Sequence, residues 1–148
     1  MVKVTSALLV SAVLFSTAAH AVIQDQQWGH WYGSISAMEF ALNTDNPAGE
    51  TLTLHCSNNQ LAATYEDTRS HYRADTTEGL NDVQLLIGKK AYSLDSDAFT
   101  ALKHSTARDR IIFSSRQTGD SKPFSAQGLK DALQDVTWQD CTSHRPHF

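Results

Sequence analysis

The sequence predicts an α+β domain, mostly antiparallel β-sheet arranged as a sandwich or a curved sheet, with two short helices and one disulfide. Three observations carry that prediction. Apolar residues alternate with polar ones over several short segments, and turn-forming residues separate those segments. A helical spacing is clearest at Leu129, Ala132, Leu133 and Val136, which follow i, i+3, i+4, i+7. The chain also has two cysteines, Cys56 and Cys141, far apart in sequence.

The organisation along the chain is simple. Residues 1–21 read as a cleavable export signal: Lys3 precedes an apolar stretch over 7–15, and the small residues Ala19 and Ala21 suit a signal peptidase. That stretch is too short to span a bilayer comfortably, and no later segment approaches the roughly 18 apolar residues a membrane helix needs. Residues 22–141 then form a single β-rich domain, and 142–148 a flexible C-terminal tail. With 148 residues in all, the chain can bury one core and not two. Its 41% hydrophobic and 19% charged residues exclude collagen-like, low-complexity and strongly disordered classes. Twelve basic against sixteen acidic residues leave a net charge of −4, which offers no electrostatic footprint for nucleic acid or an anionic membrane.

Taken in order, the polar run 24–27 is expected to fray, and Trp28, Trp31 and Tyr32 open the folded part. Ile35, Met38, Phe40 and Leu42 place a strand over 34–42, and 43–49 is loop chemistry. Leu52, Leu54 and Cys56 then share one face of a strand over 51–56. A turn at Asn58 and Asn59 leads into Leu61, Ala63 and Tyr65, which completes a hairpin. Short strands follow over 71–74 and 82–87, and Gly88-Lys89-Lys90 turns the second into another over 91–94. Asp95 and Asp97 are cap residues for a helix ending near His104, with Phe99 and Leu102 on one side. The apolar run Ile111-Ile112-Phe113 marks a buried strand over 110–115, and 117–122 is a polar loop. Ser125 is expected to cap the second helix, which ends near Asp135.

Export places Cys56 and Cys141 where disulfides persist, and their spacing lacks any Cys-x-x-Cys pattern, so pairing is preferred over free thiols or a metal pair. Closing so long a loop stabilises a fold by about 4 to 5 kcal/mol at most in the chain-entropy account. The bond would pin the C-terminal end of the second helix against the strand over 51–56.

Motifs for chemistry are sparse. Gly33-Ser34-Ile35-Ser36 lacks the second glycine of a nucleophile elbow, and paired cysteines supply no thiolate, so no catalytic residue is assigned. Asp95 and Asp97 are better used as helix caps than as a glycosidase pair. Six histidines follow the leader, but His30, His55, His71 and His104 are dispersed and His144 and His147 flank Pro146, so no metal or cofactor is expected. The polar constellation that stands out is Tyr72-Arg73-Ala74-Asp75: on a strand Arg73 and Asp75 share a face, so Asp75 can brace a guanidinium that still points outward. Trp31 and Tyr32 are the second binding candidates, with core filling at a sheet edge as the competing account of the aromatic cluster.

Together, the strand Leu52-Thr53-Leu54-His55-Cys56, the Tyr72-Arg73-Ala74-Asp75 segment, Phe99, the run Phe124-x-x-x-Gly128-Leu129-x-x-Ala132-Leu133 and the final Cys141 follow a familiar order. That order resembles the small exported accessory proteins of type VI secretion systems, the TagO or VasI type. Two positions depart from the pattern: Ala74 stands where an aromatic is usual, and Trp138 precedes Cys141 where a tryptophan would follow it. The resemblance implies a non-catalytic periplasmic module that works through protein contacts. The expected function is accordingly protein binding in the periplasm, as a secretion accessory or as an inhibitor or immunity protein against a cell-wall enzyme. The alternative is a small enzyme or ligand carrier with a pocket between sheet and helix.

Overall fold

Alternation of side chains across a pleated strand sorts most of this chain into one apolar and one polar face, and two antiparallel sheets follow from it. A computed structural model describes residues 26–36, 39–57 and 60–142. The expected export signal over 1–21, Met38, the expected turn at Asn58 and Asn59 and most of the expected tail, 143–148, lie outside the described residues.

The first sheet is a meander of six strands, each paired with its sequence neighbour: β1 (Gln26–Trp28), β2 (Trp31–Ile35), β3 (Phe40–Asp45), β4 (Glu50–Ser57), β5 (Gln60–Asp67) and β6 (Tyr72–Asp75). The second is built from β7 (Gln84–Ile87), β8 (Lys90–Ser93), β9 (Arg110–Ser115), β10 (Gly119–Asp120) and β11 (Phe124–Ser125), with β9 pairing β7, β10 and β11. Among the described residues there are three short α-helices: α1 (Ser96–Lys103), α2 (Leu129–Ala132) and α3 (Trp138–Thr142). The fold is thus α+β and mostly antiparallel sheet.

The two sheets share one core. Leu42, Leu52 and Leu54 of the first and Leu85, Ile111 and Phe113 of the second are fully buried, as are Phe124, Leu129 and Leu133. Tyr65 of β5 stacks on Phe113 of β9 at 5.3 Å between ring centroids. Along one side Phe99 of α1 packs between Phe40, at 6.3 Å, and Trp138 of α3, at 5.7 Å. Beside that aromatic row lies the Cys56–Cys141 disulfide, which joins β4 to α3 with 5.3 Å between Cα atoms.

Several boundaries differ from expectation, each for a local reason. The strand expected over 34–42 is two: β2 begins at Trp31 and stops at Ile35, where Ser36 donates from its backbone N–H and its hydroxyl to the Glu39 carbonyl and ends the pairing. Asn43, Thr44 and Asp45 are strand and not loop, because their polar groups are satisfied within the sheet. Thr44 donates to the His30 carbonyl at 2.8 Å, and Thr53 and Thr51 donate to Asn43 and Asp45 at 2.6 Å. Gln26 and Gln27, expected to fray, pair with β2.

Ser125 does not cap the second helix. It belongs to β11, and its hydroxyl oxygen accepts from the Gln127 N–H at 3.1 Å. The cap position is Gly128, at φ +93°, and only Leu129–Ala132 are helical, although the whole apolar series to Val136 is buried. A third helix, not expected, starts after Thr137. There Asp140 accepts from the Thr137 N–H and returns its own N–H to the Thr137 hydroxyl, a reciprocal cap.

Gly128 has a second constraint besides its dihedral. A Cβ there would lie 1.9 Å from the Trp28 carbonyl oxygen, because the β1–β2 turn crosses the 127–128 backbone and His30 donates to the Gln127 carbonyl at 3.0 Å. Gly79 shares the left-handed conformation at φ +96° but faces open space. Gly79→Ala is therefore expected to cost the ordinary left-handed strain of about 1 to 2 kcal/mol, whereas Gly128→Ala must also move two backbone segments apart. Denaturant unfolding of both variants checks this: Gly128→Ala should lose clearly more stability, and equal losses would mean that the backbone crossing is not tight.

Candidate functional site

The same alternation that sends Leu52 and Leu54 inward sends Thr51, Thr53 and His55 to the outer face of the first sheet. Strand register sets their neighbours. Thr53 lies opposite Thr64, which lies opposite Asp75; Thr51 lies opposite Glu66, which lies opposite Arg73. Thr53, His55, Thr64, Glu66, Arg73 and Asp75, with Ser34, Ile35, Glu39, Ala41 and Cys56, line an open groove of about 750 Å³. That volume is within the roughly 300 to 1,000 Å³ typical of ligand sites.

Arg73 and Asp75 are where the sequence places them, on one face of an edge strand. Arg73 Nη2 lies 3.0 Å from Asp75 Oδ2, and Nη1 lies 3.0 Å from Glu78 Oε1. The guanidinium is thus fixed from two sides, while its side chain stays 52% exposed. Asp75 is 6% exposed at its side chain, and it also caps the 3₁₀ turn Thr76–Glu78 by accepting from the Thr77 N–H at 2.8 Å and the Thr77 hydroxyl at 2.7 Å. Burial acts to raise the Asp75 pKa. The Thr77 hydrogen bonds, the Thr64 hydroxyl and the Arg73 charge outweigh it and hold the carboxyl below its ordinary value.

His55, set aside in the sequence as one of several dispersed histidines, belongs to this cluster. Burial lowers its pKa below 6.5, with Asp75 pulling it up and Arg73 pushing it down. Its Nδ1 is enclosed and has no hydrogen-bond partner among the described residues. A signal for it was present in the alternation, since His55 stands two residues from Thr53 on a strand whose other face is apolar. Glu66 was legible in the same way, as the residue opposite Arg73 in a register that only the fold supplies.

The aromatic candidates separate. Trp31 is 0% exposed, and its indole N–H donates to the Ser125 carbonyl at 2.9 Å, so it fills the core and forms no part of a surface patch. Tyr32 is outward on β2, donating to Asp45 at 3.1 Å, and it lines a different cavity, of about 720 Å³, with His30 and Arg110. Tyr32 and Arg73 therefore line different cavities, although Tyr32 stands on the same outer sheet face, in the register row of Asn43, Thr53, Thr64 and Asp75. A sheet–helix cavity of about 580 Å³ lies between β8 and α1. Its Asp95 carboxylate is engaged by the Asp97 and Ala98 N–H groups of the helix start.

Among the described residues no group of three or more His, Cys, Asp or Glu side chains is placed to hold a metal ion, and no helix is long and apolar enough to cross a membrane. No protein-family model, curated protein or solved structure matches the chain.

The coupling of His55 to its two charged neighbours has a direct readout. Because the folded pKa lies below 6.5, the neutral ring favours the fold: the contribution is present above 6.5 and is lost as pH falls toward the folded value. Ring-proton NMR titration should give a His55 midpoint below 6.5, raised in Arg73→Ala and lowered further in Asp75→Asn. A midpoint indifferent to both substitutions would separate His55 from the cluster.

Proposed function

We propose that this protein is a non-catalytic protein-binding module of the periplasm that engages its partner through the outer face of the six-stranded sheet. The observation that carries the reading is Arg73: a half-exposed guanidinium held in one geometry by Asp75 and Glu78. A prefixed arginine loses little side-chain entropy on binding, and arginine is enriched at interface hot spots. The net charge of −4 supports a basic partner, since an acidic surface steers basic proteins toward it. A disulfide is compatible with an exported protein, as the leader over 1–21 suggests. The resemblance to type VI secretion accessory proteins fits the same role, either as an accessory factor or as an inhibitor or immunity protein acting on a cell-wall enzyme.

A second reading, a small-ligand carrier, draws on the groove of about 750 Å³. It places the pocket on the outer sheet face and not between sheet and helix.

Substitution of Arg73 distinguishes binding from structure. The guanidinium is half-exposed, and buried Asp75 keeps its Thr77 bonds without Arg73, so Arg73→Ala should lower the melting temperature only slightly. Affinity for a periplasmic partner should fall by about tenfold, or roughly 1 to 2 kcal/mol. Biolayer interferometry of both proteins against captured partners and purified basic peptidoglycan hydrolases measures this. Unchanged affinity with a markedly lowered melting temperature would return Arg73 to a structural role. Release of peptidoglycan fragments by the purified protein alone would overturn the non-catalytic reading.

A further inference from the structure

The charges around the groove are unbalanced in a specific way. Three carboxylates line it, Glu39, Glu66 and Asp75, against the single guanidinium of Arg73, a formal charge of −2 with His55 neutral. Glu66 stands directly opposite Arg73 across the β5–β6 ladder, yet Arg73 is turned away to Asp75 and Glu78. Among the described residues neither Glu66 nor Glu39 has an ion-pair or side-chain hydrogen-bond partner. Both are exposed.

Their separation follows from the register. Glu39 immediately precedes β3, whereas Glu66 lies in the row of Thr51 and Asp45, at the other end of that strand. Six residues of extended chain separate Glu39 from that row, about 20 Å at roughly 3.3 Å per residue. Ala41, exposed, stands in the row next to Glu39, and half-buried Ile35 and Cys56 add apolar surface at the Glu39 end of the groove.

We propose that this groove takes an extended segment of a basic partner protein, with lysine or arginine side chains meeting Glu39 and Glu66 and the aliphatic stem of the one at Glu39 lying on Ile35, Ala41 and Cys56. The inference rests on the reading of this face as a protein-binding surface, and it specifies the partner's chemistry. An anionic ligand is disfavoured because the carboxylates outnumber the guanidinium and the two Nη atoms of Arg73 already face carboxylates. A segment of about six residues matches the span, since an extended chain covers up to about 3.3 to 3.6 Å per residue.

Fluorescence anisotropy with labelled hexalysine and hexaarginine, and hexaglutamate as reference, tests the proposal on the oxidised full chain. The two basic peptides distinguish an ammonium from a guanidinium preference. Either should bind, and hexaglutamate should not. The double variant Glu39→Gln/Glu66→Gln should weaken binding at least fivefold, whereas Asp131→Asn/Asp135→Asn, the same charge change at exposed positions outside the groove, should alter it less than twofold. Equal weakening in both double variants would mean diffuse attraction and would overturn the groove assignment, as would no binding of either basic peptide. If a partner's capture depends on Arg73 but not on Glu39 and Glu66, this inference fails and the binding-module reading stands. If the groove binds the peptides while no protein partner depends on Arg73, the module reading fails instead.

Discussion

The Cys56–Cys141 bond is the constraint on which the rest of the molecule depends. A meander of six strands is assembled from neighbours in sequence, and by itself it leaves an apolar face uncovered. What covers that face comes from the later half of the chain, and the disulfide is its one covalent tie to the sheet among the described residues. It fixes α3 against β4, which seats Trp138 on Phe99 and Phe99 on Phe40. Cys56 is also the immediate neighbour of His55 and lines the outer groove, so the bond that closes the core on one side bounds the candidate site on the other.

A polar counterpart to this tie sits at the opposite end of β4. Glu50 is buried, and it accepts from Tyr65, from Asn46 at 3.0 Å and from the Lys122 N–H at 2.9 Å. Burial and the bond to Glu50 push the Tyr65 hydroxyl well above its usual range, which keeps it protonated as the donor. Because Lys122 belongs to the loop between β10 and β11, the carboxylate joins the turn after β3 to the second sheet. A buried carboxylate left unpaired is costly, so every partner of Glu50 selects the same arrangement of the two sheets.

How much of this was legible follows from which signals are local. Period-two alternation identified β4 and β5 and placed Arg73 and Asp75 together, because parity along a strand needs no knowledge of neighbouring strands, and a short apolar run identified β9. The helix after Asp95 was legible from its cap, which the Asp95 side chain supplies. Ser125 misled because a serine near an apolar helical pattern reads as a cap even when a glycine in the left-handed region does the turning. The Thr137–Asp140 cap was equally legible and was missed under the shadow of the longer pattern before it. The groove was the least accessible feature: Thr53, Thr64 and Asp75 lie on three strands, and Glu66 becomes an uncompensated charge only when Arg73 is seen to turn toward Glu78. Register between strands, and competition for one guanidinium, are tertiary facts.

The functional account needs a sheet face that is already in shape before a partner arrives, and the disulfide is what the account relies on to hold it. The most direct test is to compare denaturant unfolding of the oxidised protein with that of the chemically reduced protein, after non-reducing peptide mapping. The account predicts a single Cys56–Cys141 linked peptide and a loss of stability on reduction approaching, but not exceeding, about 4 to 5 kcal/mol. Two free thiols in the purified protein, or unchanged stability after reduction, would contradict it.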